Sequence, residues 1–309
     1  MAFEGFTPEL FETYAPEKWS SNAHNLPRMR AKDALIQLAD QLVQTLGVRY
    51  TNLQRGASDE IPNILNQKKV DAQWVYWMRN PEEKKALSVL FEKLRLDGSL
   101  LMTTATQDKH AMVGLMLDQE SVRVTLRIAG EAQVDRKNLA AKLGKEQYAA
   151  PFLELLKELP EGFEIGVHTY TPAEAFFPDS ISELSAALAE RGGAFAIRRV
   201  WPRADALAAG ASIVPPLAAG LEALEPLYRF CDWSRENDHT EVGARLQKVE
   251  AEKQAKALAF EPGQQVRIVG GMFAGKTGRV EDIDAKAKVK VRVGTMSVMV
   301  SGRELTPAG

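Results

Sequence analysis

The chain has little of what marks an exported, metal-binding or membrane-spanning protein. Its 309 residues contain one cysteine, Cys231, so an intramolecular disulfide is excluded and a reducing compartment is favoured. The four histidines, His24, His110, His168 and His239, are scattered, and none pairs with another at the spacing of a zinc site. No run approaches the roughly 18 consecutive apolar residues of a transmembrane helix. The sequence therefore predicts a cytoplasmic protein with no metal, no cofactor and no membrane contact.

The chain also lacks the excess of positive charge that proteins coating nucleic acid usually carry. Its formal net charge is −2 and its pI is about 6.2. Hydrophobic residues make up 45% and charged residues 26%, as in an ordinary globular protein. Any contact with nucleic acid must therefore be confined to one face or one domain. At roughly 100–200 residues per domain, the length favours two domains.

Helical and strand-like patterns are interspersed through residues 1–235. Apolar residues follow a helical period over residues 29–46. The apolar runs 110–117 and 121–128 flank a short acidic turn, which predicts a β-hairpin. An α+β or α/β domain of unknown function is therefore predicted here. Its sequence contains no recognised catalytic motif, so no catalytic residue is predicted.

One aromatic run in this domain, residues 73–78, contains Trp74, Tyr76 and Trp77. Because strand side chains alternate between faces, these rings should lie on both sides of a sheet. Core packing is favoured over a platform on which nucleic-acid bases would stack. Residues 236–259 differ in composition, since they are rich in Glu, Lys, Gln and Ala and have few large apolar residues. They are predicted to form a charged helical linker.

The string Gly270 to Thr277, GGMFAGKT, fits the phosphate-binding pattern G-x-x-x-x-G-K-[ST]. That pattern requires a helix directly after the Lys-Thr pair, because the N-terminus of the helix supplies part of the anion site. Here Gly278 and a β-prone stretch follow instead. The 32 residues after Thr277 are also too few for the remaining strands of such an enzyme. An ATP- or GTP-dependent enzyme is therefore the least favoured hypothesis.

The same region is better explained by short strands. Strand patterns occur at residues 266–269, 277–283, 289–293 and 296–300, with a short last strand at Leu305. Residues 288–293, Lys-Val-Lys-Val-Arg-Val, alternate without a break. Five short strands with closely spaced turn signals predict a small all-β barrel.

Three segments then resemble the KOW module of NusG-type transcription elongation factors and of some ribosomal proteins. They are Phe260-Glu-Pro-Gly-Gln-Gln-Val-Arg-Ile-Val, Gly271-Met-Phe-Ala-Gly and Thr277-Gly-Arg-Val-Glu, in which Gly278 corresponds to the motif glycine. The resemblance covers residues 260–309 and departs from the module after Val293. It implies an SH3-like KOW barrel that binds RNA, ribosomal proteins or RNA polymerase.

The candidate contact residues of this module are Met272, Phe273, Lys276, Arg279, Lys286, Lys288, Lys290 and Arg292. Met272 and Phe273 are expected at an exposed loop tip, although Phe273 could pack under its own loop. The four basic residues from Lys286 to Arg292 lie on one side of one strand. They either contact phosphates or protect a sheet edge with charge. The module carries eight basic and five acidic residues, a net of +3, whereas the rest of the chain is −5.

A second resemblance concerns the first domain. Phe3-Glu-Gly-Phe-Thr-Pro-Glu-Leu-Phe, Leu26-Pro-Arg-Met and Lys109-His-Ala-Met-Val-Gly-Leu resemble parts of the YktB-like bacterial family. That family implies no activity, so no site residue follows from it. The sequence as a whole predicts a non-enzymatic bacterial adaptor whose last domain binds the transcription or translation machinery. The alternative is an enzyme of unknown chemistry in the first domain, brought to RNA or ribosomes by the last.

Overall fold

The computed structural model describes residues 3–50, 52–85, 87, 105–190, 192–240, 251, 260–284 and 288–308. The chain divides into two compact units, a first unit of residues 1–240 and a second unit of residues 241–309. Most of the predicted helical linker lies outside the described residues. At its start, Asn237 and His239 hydrogen-bond to a helix of the first unit through Asn138.

The first unit contains the α-helices that the structure describes with full bounds. They are α1 Pro8–Glu12, α2 Asn25–Leu46, α3 Gln133–Leu143, α4 Glu146–Lys157, α5 Pro178–Ala189, α6 Arg203–Ala209 and α7 Val214–Cys231. Helix α7 begins with prolines in its first turn, where a missing N–H is tolerated. Helix α2 ends at Leu46 and is followed by Gly47, whose φ of +59° suits glycine.

Seven strands of the first unit form one sheet in the order β1-β2-β3-β4-β7-β5-β6. They are β1 Gln54–Ala57, β2 Ala72–Met78, β3 Met112–Asp118, β4 Ser121–Ile128, β5 Phe163–Gly166, β6 Tyr170–Pro172 and β7 Phe195–Pro202. The predicted hairpin is confirmed, since β3 pairs with β4 from Met112 opposite Arg127 to Leu117 opposite Val122. Every registered pair in this sheet is antiparallel.

One face of this sheet carries the main core. Alternate residues of β2, β3 and β4 are buried there together with apolar residues of α2 and α7. Residues 203–231, which contain α6 and α7, are long and apolar enough to cross a membrane. Helix α7, however, packs on β3 and β4 and buries its apolar residues in this core. It therefore acts as the core helix of a folded unit.

The second unit is a sheet of five antiparallel strands in the order β11-β10-β9-β8-β12. They are β8 Gln265–Ile268, β9 Thr277–Ile283, β10 Lys288–Val293, β11 Met296–Ser301 and β12 Leu305–Pro307. Its small core is aliphatic except for Phe260, and it consists of Phe260, Val266, Ile268, Val280, Val289, Val291, Val300 and Leu305. Each strand from β8 to β10 contributes the residues of one face to this core, as period-two alternation requires.

The predicted fold class is wrong and is corrected by these two sheets. The second unit is an open five-stranded sheet in the described residues, because its end strands β11 and β12 are not paired with each other. The SH3-like KOW barrel expected for residues 260–309 is therefore replaced by a sheet. Local alternation and turn spacing specify strands and hairpins, but closure depends on pairing between the first and last strands. The α/β alternative is also wrong for the first unit, since its described strands pair antiparallel.

Candidate functional site

The predicted contact residues of β10 point away from the core of the second unit. Val289 and Val291 are completely buried and Val293 is partly buried, whereas Lys288, Lys290 and Arg292 are exposed. Alternation along a pleated strand produces this separation. The fourth predicted residue of the row, Lys286, lies outside the described residues.

Neighbouring strands extend the same surface. Arg267 on β8 and Arg279 on β9 are also exposed, and we call the outward surface of β8, β9 and β10 the basic face. Its charged residues are Arg267, Arg279, Glu281, Asp282, Lys288, Lys290 and Arg292. Five cations thus share this face with two carboxylates. Sequence reasoning missed Arg267, although its alternation with Val266 and Ile268 is the signal that could have identified it.

The strand register places two cations of the basic face directly opposite each other. Arg279 on β9 is the partner of Arg292 on β10, whereas Lys290 is opposite Asp282. Cross-strand neighbours have Cβ atoms about 5 Å apart, so like charges in these positions repel. The basic face therefore concentrates positive charge at a cost to the stability of the sheet.

Glu281 is the carboxylate that reduces this repulsion. Its oxygens lie 3.4 Å from Lys290 Nζ and 3.4 Å from Arg292 Nε, and Ser297 Oγ donates a hydrogen bond to it at 2.7 Å. The hydrogen bond from Ser297, and then Lys290 and Arg292, hold the pKa of Glu281 below its usual value. One carboxylate shared by two cations leaves the basic face positive overall.

The position of β10 argues against one of the two interpretations of its basic row. A row of charge that protects a sheet edge must lie on an edge strand. Strand β10 instead lies between β9 and β11, and it is hydrogen-bonded to both. Edge protection therefore does not explain Lys288, Lys290 and Arg292.

In the loop between β8 and β9, the two residues expected at an exposed tip differ in burial. Met272 is 93% exposed, whereas Phe273 is partly buried and packs against the core of the second unit. The structure thus favours the interpretation in which Phe273 packs under its own loop. Lys276 is exposed, and its carbonyl oxygen accepts a hydrogen bond from Ile268 N at 2.8 Å, so the loop closes as a tight turn.

The string GGMFAGKT, which fits the phosphate-binding pattern, forms most of this loop. Thr277 begins strand β9 and not a helix, so the anion site of a phosphate loop is not formed. Gly278 is required for a different reason. A Cβ atom there would lie 2.5 Å from the carbonyl oxygen of Arg292 and 2.6 Å from Val291 Cγ1, so glycine permits β9 to approach β10.

The first unit contains a buried polar cluster around Arg79 and Asp135, which are each about 1% exposed. Arg79 Nη2 donates to Asp135 Oδ1 at 2.5 Å, and the backbone N–H groups of Ala111 and Trp233 donate to the same carboxylate at 2.8 Å. Burial opposes the charge of Arg79, but Asp135 more than compensates and raises its pKa. Burial and then Arg79 lower the pKa of His110 to about 3.

This buried polar cluster has the properties of a structural network. Both oxygens of Asp135 accept hydrogen bonds from groups of the fold, and the side chain is 1% exposed, so the carboxylate is enclosed. His110 Nδ1 lies 3.2 Å from Arg79 Nη1 and stays neutral. The single thiol, Cys231, is completely buried, and burial raises its pKa, which disfavours the reactive thiolate. Within the part of the chain that the structure describes, no group of three His, Cys, Asp or Glu residues could hold a metal ion.

Comparisons with known proteins give no family. No protein-family model matches the chain. No curated protein matches it either. Among solved structures, the chain aligns with a biotin protein ligase-like protein of unknown function from Silicibacter sp. at 13% sequence identity. That alignment covers 60% of this chain and 80% of the other, with a TM-score of 0.13, which does not establish a shared fold.

Proposed function

We propose that the protein is a cytoplasmic, non-enzymatic adaptor whose basic face binds RNA in the transcription or translation machinery. The observation that carries this proposal is the direct opposition of Arg279 and Arg292 across β9 and β10. A surface selected only for stability would avoid this pair, since replacing either residue relieves repulsion. A polyanion placed over the pair turns the repulsion into a favourable interaction.

Phosphate groups match the basic face in both charge and arrangement. Arginine and lysine are the usual phosphate contacts of nucleic-acid-binding proteins, and their binding releases counterions. The cations of β8, β9 and β10 lie on adjacent strands, which are about 4.8 Å apart in any sheet. Successive phosphates of one RNA strand can therefore be contacted by side chains from several strands at once.

The sequence resemblance to KOW-containing proteins supports RNA of the transcription or translation machinery as the partner. A protein surface of a ribosome or an RNA polymerase is the competing partner. Its supporting observation is Met272, an exposed apolar side chain in the loop beside the basic face. We place RNA first because the opposition of Arg279 and Arg292 favours an anionic partner, which the exposed apolar residues of the second unit, Val269, Met272, Met296 and Met299, do not explain.

Fluorescence anisotropy of the full-length protein with labelled single-stranded RNA, at several salt concentrations, tests the proposal. The double variant Arg279→Gln/Arg292→Gln should weaken binding and flatten the dependence of log affinity on log salt. The slope should decrease by about 0.7 for each lost phosphate contact on single-stranded RNA. Lys157→Gln, an exposed lysine of α4 in the first unit, removes one charge elsewhere and should leave the slope unchanged.

A salt-independent affinity, or an equal loss for Lys157→Gln, would contradict phosphate recognition by the basic face. A protein partner in place of RNA would give a different result in the same assays. If the arginine variants leave RNA affinity unchanged while Met272→Ser releases co-purifying ribosomal or polymerase proteins, the second unit binds protein. Both measurements use the intact chain, so neither depends on separate folding of the second unit.

A further inference from the structure

The face of the first sheet opposite the main core carries its own side chains. In β2, Val75 and Trp77 belong to the main core, whereas Trp74, Tyr76 and Met78 point to the other face. There Tyr76 and Met78 form a separate cluster with a methionine of β3, and Trp74 packs against it. This face therefore combines aromatic rings with thioether groups outside the main core.

A cavity of about 380 Å³ lies on this face, which is within the usual range for small-molecule sites. Trp74, Tyr76 and Met116 form its apolar wall. Three carboxylates, Asp59, Asp71 and Asp108, also line it. Most of the remaining lining is polar, so the cavity combines one aromatic wall with several groups that can orient a charged ligand.

Tyr76 supplies an independent indication that a ligand belongs in this cavity. The residue is only 5% exposed, and among the described residues none hydrogen-bonds to its hydroxyl group. Its ring packs against Gly56, where a Cβ atom would lie 2.8 Å from the hydroxyl oxygen. The Tyr76 side chain is largely buried but lines the cavity, so a polar group of a bound ligand can hydrogen-bond to its hydroxyl group.

The electrostatic environment of the Tyr76 hydroxyl group is negative. Burial, and then the charges of Asp59 and Asp108, raise its pKa to about 12, so it remains a hydrogen-bonding hydroxyl at neutral pH. Asp108 is already paired with Arg127 at 2.5 Å. Asp59 accepts one hydrogen bond from Asn63 but has no ion pair among the described residues.

Of the three carboxylates that line the cavity, only Asp108 forms an ion pair among the described residues. The guanidinium group of Arg127 lies 5.4 Å from the ring centre of Trp74, so this cation is held by Trp74 and Asp108. Asp71 has no ion pair among the described residues. Lys69, the other cation that lines the cavity, is exposed and forms no ion pair within 4.0 Å with Asp59 or Asp71. A positively charged group near Asp59 would therefore gain attraction that no described side chain already provides.

We propose that this cavity binds a small aromatic amine. Its ring packs against Trp74 and Met116, and its ammonium group lies beside Asp59 and the Tyr76 hydroxyl oxygen. The hydroxyl oxygen accepts a hydrogen bond from the ammonium group, and Asp59 supplies the opposite charge. The cavity belongs to the first unit, so this proposal does not depend on RNA binding by the second.

Three indole probes separate charge from ring packing. Tryptamine is a cation, 3-methylindole is neutral, and indole-3-acetate is an anion with the same ring. Isothermal titration calorimetry with the full-length protein should rank their affinities in that order. Tyr76→Phe and Asp59→Asn should each weaken tryptamine binding by roughly tenfold, as expected for one lost hydrogen bond to a charged group. Neither variant should change the affinity for 3-methylindole.

Two matched controls use the same substitutions elsewhere in the first unit. Tyr170→Phe changes a tyrosine of β6 at the far end of the sheet, and Asp40→Asn changes an exposed carboxylate of α2. Both should leave tryptamine affinity unchanged, and near-ultraviolet circular dichroism checks that every variant is folded. The proposal is overturned if tryptamine does not bind at millimolar concentration, if indole-3-acetate binds as tightly, or if the control variants weaken binding equally. Asp59→Lys should reverse the preference between the cation and the anion.

Discussion

The two units use the same residue types in opposite ways. In the first unit, the cations Arg28, Arg136 and Lys142 are buried, and each donates to backbone carbonyl groups of the fold. Arg136 reaches three carbonyl oxygens at and beyond the end of α5, at 2.7 to 3.1 Å. In the second unit, Arg279 and Arg292 are exposed and opposite each other. Position and partners, and not residue type, therefore distinguish structural cations from cations available to a ligand.

This difference explains why we assign binding to the second unit despite its small size. A buried cation that donates to backbone carbonyl groups is enclosed by its own fold, so it is not accessible to a partner. An exposed cation facing another cation destabilises its sheet slightly, and an anionic partner relieves that cost. The comparison predicts a large loss of stability where a buried cation of the first unit loses its counterion. It predicts small gains, together with loss of binding, for changes in the second.

The largest effect is expected at the buried pair of Arg79 and Asp135. Asp135→Asn should lower the free energy of unfolding by about 3–5 kcal/mol, because it leaves the Arg79 charge buried without its counterion. Urea denaturation followed by tryptophan fluorescence measures this loss. The same substitution at Asp40, which pairs with Arg55 on the exposed surface, should cost less than about 1 kcal/mol. Equal losses at the two positions would contradict the distinction between buried and exposed pairs.

Part of the fold could be predicted from the sequence because it depends on local pattern. The hairpin of β3 and β4 and the alternation of β10 follow from period-two patterns within single strands. Closure of the second unit could not be predicted in the same way. It depends on contacts between strands that are remote in sequence, so the expected barrel was wrong. The interior position of β10 is likewise a property of strand order and not of its own residues.

The candidate sites, too, could be predicted from the sequence only where they depend on local pattern. Exposure of Lys288, Lys290 and Arg292 follows from alternation, but the opposition of Arg279 and Arg292 depends on the shift in register between β9 and β10. Tyr76 looked like a core aromatic residue, and its burial agrees with that interpretation. The sequence could not show that Asp59 and Asp108 lie near the Tyr76 hydroxyl group, because both residues come from other segments of the chain.

A smaller, pH-dependent effect is expected at Asp232 in the first unit. Burial raises the pKa of Asp232 from 3.8 to about 7, against the attraction of Arg79 and with the repulsion of Asp135. A raised carboxyl pKa means that ionisation disfavours the folded state, so this cost is absent below the ordinary pKa. The cost increases as pH rises towards the raised pKa and is complete above it.

Asp232→Asn removes this cost and should therefore stabilise the protein more at higher pH. The difference between variant and parent should increase by roughly 2–3 kcal/mol between about pH 5 and about pH 8. Arg229 and Glu83, which also act on Asp232, are the same in both proteins, and folded His110 stays neutral in this range. Urea denaturation at several pH values measures the difference. A constant difference would show that Asp232 is ionised throughout.

The smallest effect, on the basic face, tests the comparison most directly. Arg279→Thr should increase the stability of the second unit by about 0.2–1 kcal/mol relative to Arg267→Thr, because it also removes a repulsive cross-strand pair. The same change should weaken RNA binding. Arg267→Thr is the matched control, since Arg267 is opposite Thr277 and Thr306 and not opposite a cation. It should weaken RNA binding similarly without the gain in stability.

Hydrogen exchange of backbone amides is the suitable measurement for this last pair of variants. All five tryptophans precede residue 241, so their fluorescence does not report on the second unit. The amide of Val280, which donates to Gln264 O at 2.9 Å in the described sheet, should exchange more slowly in Arg279→Thr and at the parent rate in Arg267→Thr. If Arg279→Thr instead accelerates exchange, the opposed arginines contribute to stability. The basic face would then resemble the buried cations of the first unit, and the argument from repulsion to RNA binding would no longer hold.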